Sequence, residues 1–436
     1  MTRWQGSRRE FLAHGSTALL IAAASNSSSL AVAAERVRAK ISDVQTLTLQ
    51  GESRTFVLVR VVTADGQWGI GEAYGSPGVG IVEQIGALKP WLIGRDPLEI
   101  DRIYTLLGEG QPGLAGTRTD GSAHTLMRAA SGIEMALWDL AGRLLNTPVS
   151  ILLGGRFRDH VRVYDHSWPR DLFDKGSCRD WAAQVREHPS GFTAHKIDIP
   201  RTASSWEAGA RSEPDGARDP ANRHLTSKEL ARIARGLANV REAIGWDHDL
   251  MVHCHWDLDV PSAIQLVGAI ADIKPLWLED PLPVDYTEAW KHLTESSPVP
   301  ILTGENLARR EGFAPFLVNA ACHIVNPDMR NSGGFLETKR IADMAAVYGI
   351  PVTLHNTGSQ LHTYQACQWA ASIRDFLLCE TITGEGGWMD EVLRLGGRYI
   401  EKGCIRVSDQ PGTGVELNRE TVEAHLAPGQ KWWGDA

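Results

Sequence analysis

The sequence predicts an α/β protein, a (β/α)8-type barrel preceded by a smaller α+β domain. The first observation is rhythm: after Gly154-Gly155, short apolar segments alternate with amphipathic helical patterns to the region of Glu380. The second is spacing. His253, Glu279 and Glu305 each close such a segment, and 279−253 = 26 while 305−279 = 26. One short strand, a three-turn helix and two short loops consume about 25 residues, so parallel strands of a closed barrel deliver these groups to one rim. An open doubly wound sheet is the rival topology, but no GxGxxG fingerprint follows a first strand.

Residues 1–34 are expected to lie outside the fold. Ser7-Arg8-Arg9-Glu10-Phe11-Leu12 precedes a weakly apolar run, Thr17 to Ala24, a Ser/Asn stretch and the small residues Ala31-Val32-Ala33-Ala34. The run is too short to span a bilayer, and the pattern resembles a twin-arginine signal, the route for proteins exported already folded. The expected location is therefore periplasmic, or otherwise exported by that route. Residues 38–155 read as the α+β domain. Val44 to Leu49, Thr55 to Val62 and Gly69 to Tyr74 form a meander with a turn at Ala64-Asp65-Gly66. A helix from Met127 to Leu145 follows, with Ile133, Leu137, Leu140 and Leu144 on one face, and Asn146-Thr147-Pro148 stops it.

Residues 156–395 hold the barrel pattern. Candidate strands are Val161 to Asp165, Thr193 to Asp198, Leu250 to His253, Leu276 to Glu279, Pro300 to Gly304, His323 to Asn326, Pro351 to His355 and Leu377 to Glu380. The polar stretch Arg201 to Arg223 is an insertion after the second of them. It reads either as a solvated loop or as a lid or subunit contact.

Composition bounds the function. With 436 residues, 43% apolar and 22% charged, the chain suits a soluble globular protein of two domains. A formal charge of −9 leaves no basic stripe for a nucleic-acid backbone, so small ligands are the expected partners. Cys178, Cys254, Cys322, Cys367, Cys379 and Cys404 form no CxxC pair and read as small buried hydrophobes, although an oxidising compartment leaves one bridge open.

An acidic side chain directly after an apolar strand must be hydrated, paired or bound to a cation. Two at one rim with matched spacing, Glu279 and Glu305, point to a metal. Asp328 and His355 follow on sequential strand segments. An aspartate accepting from one imidazole nitrogen fixes the tautomer and makes the other nitrogen a stronger base.

These residues resemble a family. Glu279 with Asp280-Pro281-Leu282-Pro283, the Gly304-Glu305 pair, Asp328 followed by Ser332-Gly333-Gly334, and the run Ser131 to Leu140 are similar to the enolase superfamily, more narrowly its mandelate racemase/muconate lactonizing branch. The resemblance covers about residues 38 to 420, including Pro411 to Leu417. It implies a modified barrel under a capping domain, with residues 396–436 returning to the cap. It also implies a magnesium ion on His253, Glu279 and Glu305, with His355 as the base, supported by Asp328, that takes the proton α to a carboxylate. Glu380 matches a residue that hydrogen-bonds the substrate carboxylate or enediolate. Relatives commonly assemble as octamers or dimers, which implies a homo-oligomer, with no membrane contact for the mature form.

Two positions then choose among reactions. Racemases and cycloisomerases of this branch carry Lys-x-Lys where this chain has Lys196-Ile197-Asp198, which weakens a two-base racemisation. His255, two residues past the first ligand, is expected on the same strand face. It matches the general acid of galactonate and mannonate dehydratase-like members. The expected reaction is loss of water from a sugar acid to a 2-keto-3-deoxy acid, with epimerisation through His355 and Lys196 or Asp198 as the alternative. Relatives have aspartate at His253. Imidazole suits manganese or another transition metal better than magnesium, so the position admits weaker magnesium binding, a retuned metal, or a binding protein that has lost catalysis.

Overall fold

A computed structural model describes residues 39–52, 54–75, 80–109, 123–199, 223–382, 387–395 and 399–433. The expected signal segment and nearly all of the Arg201 to Arg223 stretch lie outside these residues.

The β-branched, alternating N-terminal segments pair as expected. Strands β1 (Ile41–Gln50), β2 (Thr55–Thr63) and β3 (Trp68–Ala73) form an antiparallel sheet in that order. Helices α1 (Ile81–Leu88), α2 (Ile100–Glu109) and α3 (Ala123–Leu144) cover it. The long helix begins four residues before the expected Met127 and stops where Asn146 turns left-handed, at φ 50°. Gly71 lets α3 lie directly on β3, because a Cβ there would strike the backbone of Gly132 and Ala136. A separate apolar core, including Val59, Ile103, Ile133 and Leu137, fills this layer.

After the short helix α4 (Val149–Leu152), eight parallel strands close a barrel. They are β4 (His160–His166), β5 (Ala194–Asp198), β6 (Asp249–His253), β7 (Leu278–Glu279), β8 (Ile301–Thr303), β9 (Ile324–Val325), β10 (Val352–Leu354) and β11 (Phe376–Thr381). Each pairs with the next, and β11 pairs back to β4. The alternating helices are α5 (Lys175–Glu187), α6 (Ser227–Ile244), α7 (Val260–Ala269), α8 (Glu288–Ser296), α9 (Arg309–Val318), α10 (Met329–Ser332), α11 (Gly334–Val347) and α12 (Gln360–Ala371). Helix α6 starts in a reciprocal capping box between Thr226 and Glu229.

The barrel lumen is packed solid by Tyr164, Ala194, Met251, Trp277, Leu302, Ile324 and Leu378. That plug leaves only the C-terminal rim for chemistry. The last segment runs back along both layers. Strand β12 (Cys404–Arg406) pairs antiparallel with β4, Gln50 N donates to His425 O, and buried Asp139 on α3 accepts from the backbone of both Ile70 and Thr413. Five cysteines are buried and Cys404 is partly exposed, all as free thiols. Among the described residues no helix is long and apolar enough to cross a membrane.

Candidate active site and metal centre

Strand register sets out the rim. Asp198 pairs with His253 and His253 with Glu279 across β5, β6 and β7. Glu305 follows β8 after Gly304, His355 follows β10 directly, and Glu380 lies in β11. All five acidic or histidine groups from His253 to Glu380 on this ring are buried. Asp328 is an exception to the strand-end expectation: it stands three residues beyond β9 as the N-cap of α10, accepting from Arg330 N. The cap bond and the Arg330 guanidinium together fix its carboxylate.

His253, Glu279, Asp280 and Glu305 each bring one ligand atom to within 4.8 Å of the others. Asp280 is the member that strand spacing does not predict. Its backbone is left-handed, at φ 45°, which turns its side chain in beside that of Glu279, and Thr303 Oγ1 holds its Oδ1 at 2.6 Å. Asp280 Oδ2, Glu305 Oε2 and both ring nitrogens of His253 are buried with no hydrogen-bond partner among the described residues. His253 Nε2 lies 3.8 Å from Asp280 Oδ2 and 4.0 Å from Glu305 Oε2. Converging buried acceptors without donors are costly unless a cation completes them, so these residues fit a divalent metal. Glu279 is held in place by Trp277 Nε1 at 2.9 Å and Asn326 Nδ2 at 3.0 Å.

The charges agree with that fit. Burial works against a charged His253, yet Glu279, Asp198 and Glu305 override it and raise the ring to about 9. Burial, then Glu305, pushes Asp280 up to about 8. Without a cation, these surroundings favour protons on His253 and Asp280, and ligation must release them.

Asp198 lies at the centre of three imidazoles. His166 Nε2 is 2.8 Å from its Oδ1, His253 Nδ1 is 3.5 Å from the same oxygen, and His255 Nε2 is 3.5 Å from Oδ2. Burial opposes its charge, but His166 and His253 hold it far below the usual carboxylate range. The expectation that strand alternation aligns His255 with His253 is corrected here. Strand β6 ends at His253, and His255 and Trp256 take left-handed backbones, at φ 52° and 59°. That turn folds the His255 ring onto His253, with centroids 3.8 Å apart. Burial and then His253 lower His255 to about 4.

Across the rim, His355 Nδ1 is 2.8 Å from Asp328 Oδ2, leaving Nε2 to face Glu305 at 3.4 Å and Glu380 at 3.7 Å. Burial opposes its charge while Glu305 and Glu380 raise it to about 9. Arg330 grips the same Asp328 Oδ2 at 2.7 Å and reaches Glu72 of β3 at 3.1 Å. Glu72 is fully buried and also accepts from Ser359 N at 3.1 Å. The cap therefore reaches the His355–Asp328 pair through one guanidinium.

Lys196 is buried between Glu380, at 2.7 Å, and Glu279, at 3.3 Å. Burial opposes its charge, but the two carboxylates hold it well above the ordinary lysine value. Glu380, in turn, is lowered to about 2 by Lys196 against its burial.

Comparisons with known proteins agree with this architecture. Residues 180–421 match the family described as enolase C-terminal domain-like, and residues 29–154 match the mandelate racemase/muconate lactonizing enzyme N-terminal domain. A D-xylonate dehydratase of Haloferax volcanii is 36% identical over 395 residues, which is 90% of each chain. A D-galactarolactone cycloisomerase of Agrobacterium fabrum is 30% identical over 401 residues, covering 88% of this chain and 94% of that one. The solved structure of a mandelate racemase/muconate lactonizing enzyme-like protein from Rubrobacter xylanophilus superposes with a TM-score of 0.80 at 31% identity, covering 91% of this chain and 100% of that one.

Proposed function

Because the chain belongs to the mandelate racemase/muconate lactonizing enzyme family of the enolase superfamily, we propose that it is a hydro-lyase that removes water from a sugar acid, an aldonate or aldarate. One observation carries the reading. His355 follows β10 and His255 follows β6, and strands four apart in a closed ring of eight stand on opposite walls. A base and an acid thus flank the metal cluster from two sides.

In this reading His355 Nε2 takes the proton from the carbon α to the substrate carboxylate, and Asp328 steadies the imidazolium that forms. Lys196 and Glu380 orient the carboxylate end and the enediolate. His255 then gives its proton to the departing β-hydroxyl, so that the C–O bond breaks, water leaves, and the resulting enol rearranges to a 2-keto-3-deoxy acid. A divalent cation on His253, Glu279, Asp280 and Glu305 would supply Lewis-acid stabilisation of the negative charge gathering on the carboxylate. A cation sharing Glu305 would lessen one of the carboxylate influences that raise His355, beside Glu380 and Asp328, and a neutral ligating His253 would lessen the charge that adds to burial in lowering His255. The relative named a D-xylonate dehydratase supports the same class of reaction.

Epimerisation needs a second base opposite His355. Lys196 is held protonated by two carboxylates, and Asp198 is held ionised by its imidazoles, so neither shuttles a proton readily. The test is a panel of aldonate and aldarate stereoisomers, assayed for 2-keto acid with magnesium and manganese in parallel. Keto acid from at least one isomer is expected; none across the panel, with metal bound, would overturn the reading. We propose export in folded form as well, on the strength of Ser7 to Leu12. Replacing Arg8 and Arg9 by lysine is expected to retain the protein in the cytoplasm, and unchanged export would contradict it.

A further inference from the structure

His253 raises a question of its own. A neutral imidazole can bind a cation through one nitrogen only if the other carries the proton, and that N–H needs an acceptor. Nε2 faces the carboxylates Asp280 and Glu305. Nδ1 is buried and without a hydrogen-bond partner among the described residues. The acidic oxygen facing it is Asp198 Oδ1, at 3.5 Å, delivered by the β5–β6 register that sets Asp198 beside His253. Asp198 is itself anchored by the shorter contact of the same oxygen to His166, at 2.8 Å, which holds its carboxylate beside the ring. The ring is clamped on its faces too, by His255 stacked at 3.8 Å and Trp256 edge-on at 5.8 Å.

We propose that Asp198 is the positioning residue of the metal centre: it accepts a hydrogen bond from His253 Nδ1, so that Nε2 presents its lone pair to the ion, and the resulting nitrogen-and-carboxylate donor set favours a divalent transition metal over magnesium. This rests on the reading of His253, Glu279, Asp280 and Glu305 as a metal centre. A carboxylate behind a ligating histidine fixes the tautomer and strengthens the donor, and its loss typically weakens metal binding by about 10–100-fold. Magnesium gains little from a nitrogen donor, whereas manganese and its neighbours accept one.

The experiment uses the full chain stripped of metal, titrated calorimetrically with manganese and with magnesium, and the pulsed electron-paramagnetic spectrum of the manganese form. The unaltered protein is expected to bind manganese more tightly than magnesium and to show nitrogen coupling from one imidazole. Asp198→Asn is expected to weaken manganese binding by about 10–100-fold. The same replacement in a His253→Asp background is expected to change it less than about threefold, because no imidazole remains to orient. Asp198→Ala provides a second variant lacking any acceptor, and circular dichroism checks that each variant is folded. Equal losses in both backgrounds, no loss in either, or manganese bound without nitrogen coupling would overturn the proposal while leaving the metal centre standing. Failure of the unaltered protein to bind either ion would overturn the metal centre as well.

Discussion

The two walls of the barrel rim differ in how complete they are. On the β9–β11 side Asp328, Arg330 and Glu72 are knit into one buried network, with His355 and Ser359 bonded into it. On the β5–β8 side His253, Asp280 and Glu305 keep buried polar atoms with no partner among the described residues. Both walls come from the same strand-end architecture. Around the His355–Asp328 pair the first is finished by the protein's own residues, although Glu380 Oε1, ion-paired with Lys196, and His362 Nε2 nearby also lack a hydrogen-bond partner among the described residues; on the second the unpartnered atoms converge on one cluster of possible metal ligands. In the proposed reading, base positioning is therefore built in, and the electrophilic half of the site is conditional on an ion.

The largest effect should come from breaking the finished wall at its working atom. His355→Asn removes the proposed base but leaves Asp328 held by Arg330, so turnover should fall by about 10⁴-fold while metal binding and melting change little. A matching loss of metal affinity would show that the walls are not independent.

Next in size is the link to the cap. Arg330→Met strands two buried carboxylates, Asp328 and Glu72, and should cost about 3–5 kcal/mol in urea unfolding. A loss below about 1 kcal/mol would mean that the network is looser than its distances imply.

The smallest effect should sit on the conditional wall. Thr303→Val deletes the hydroxyl that holds Asp280 Oδ1 and should destabilise the metal-free protein by about 1–3 kcal/mol. Added manganese should recover part of that loss through binding to the folded state. An equal loss with and without the ion would place Asp280 outside the metal centre.

The finished and conditional walls also differ in how much of them the sequence reveals. Strand ends are legible because apolar runs mark them and the interval of 26 links the first three, so the residue pattern puts His253, Glu279, Glu305 and His355 on one rim, while the site role of Glu380 comes from the family resemblance. Groups placed by irregular backbone are not legible in that way. Asp280 turns inward through a left-handed residue, and His255 reaches His253 through a left-handed turn rather than strand alternation. Asp328 depends on a four-residue helix too short for any periodic signal. Arg330 meets Glu72 across 258 residues of sequence, a pairing no local pattern encodes. Likewise, aspartate at 198 and histidine at 253 read as two separate departures from the family pattern. The fold sets them side by side, and the two departures become one feature.

The division of labour between the walls is tested most directly by His255→Asn in deuterated water, with a sugar acid that the unaltered enzyme dehydrates. Deuterium is predicted still to enter the α position, because His355 is untouched, while keto-acid formation falls by about 10²-fold or more. Loss of both exchange and dehydration, or retention of full dehydration, would contradict the assignment of base and acid to opposite walls.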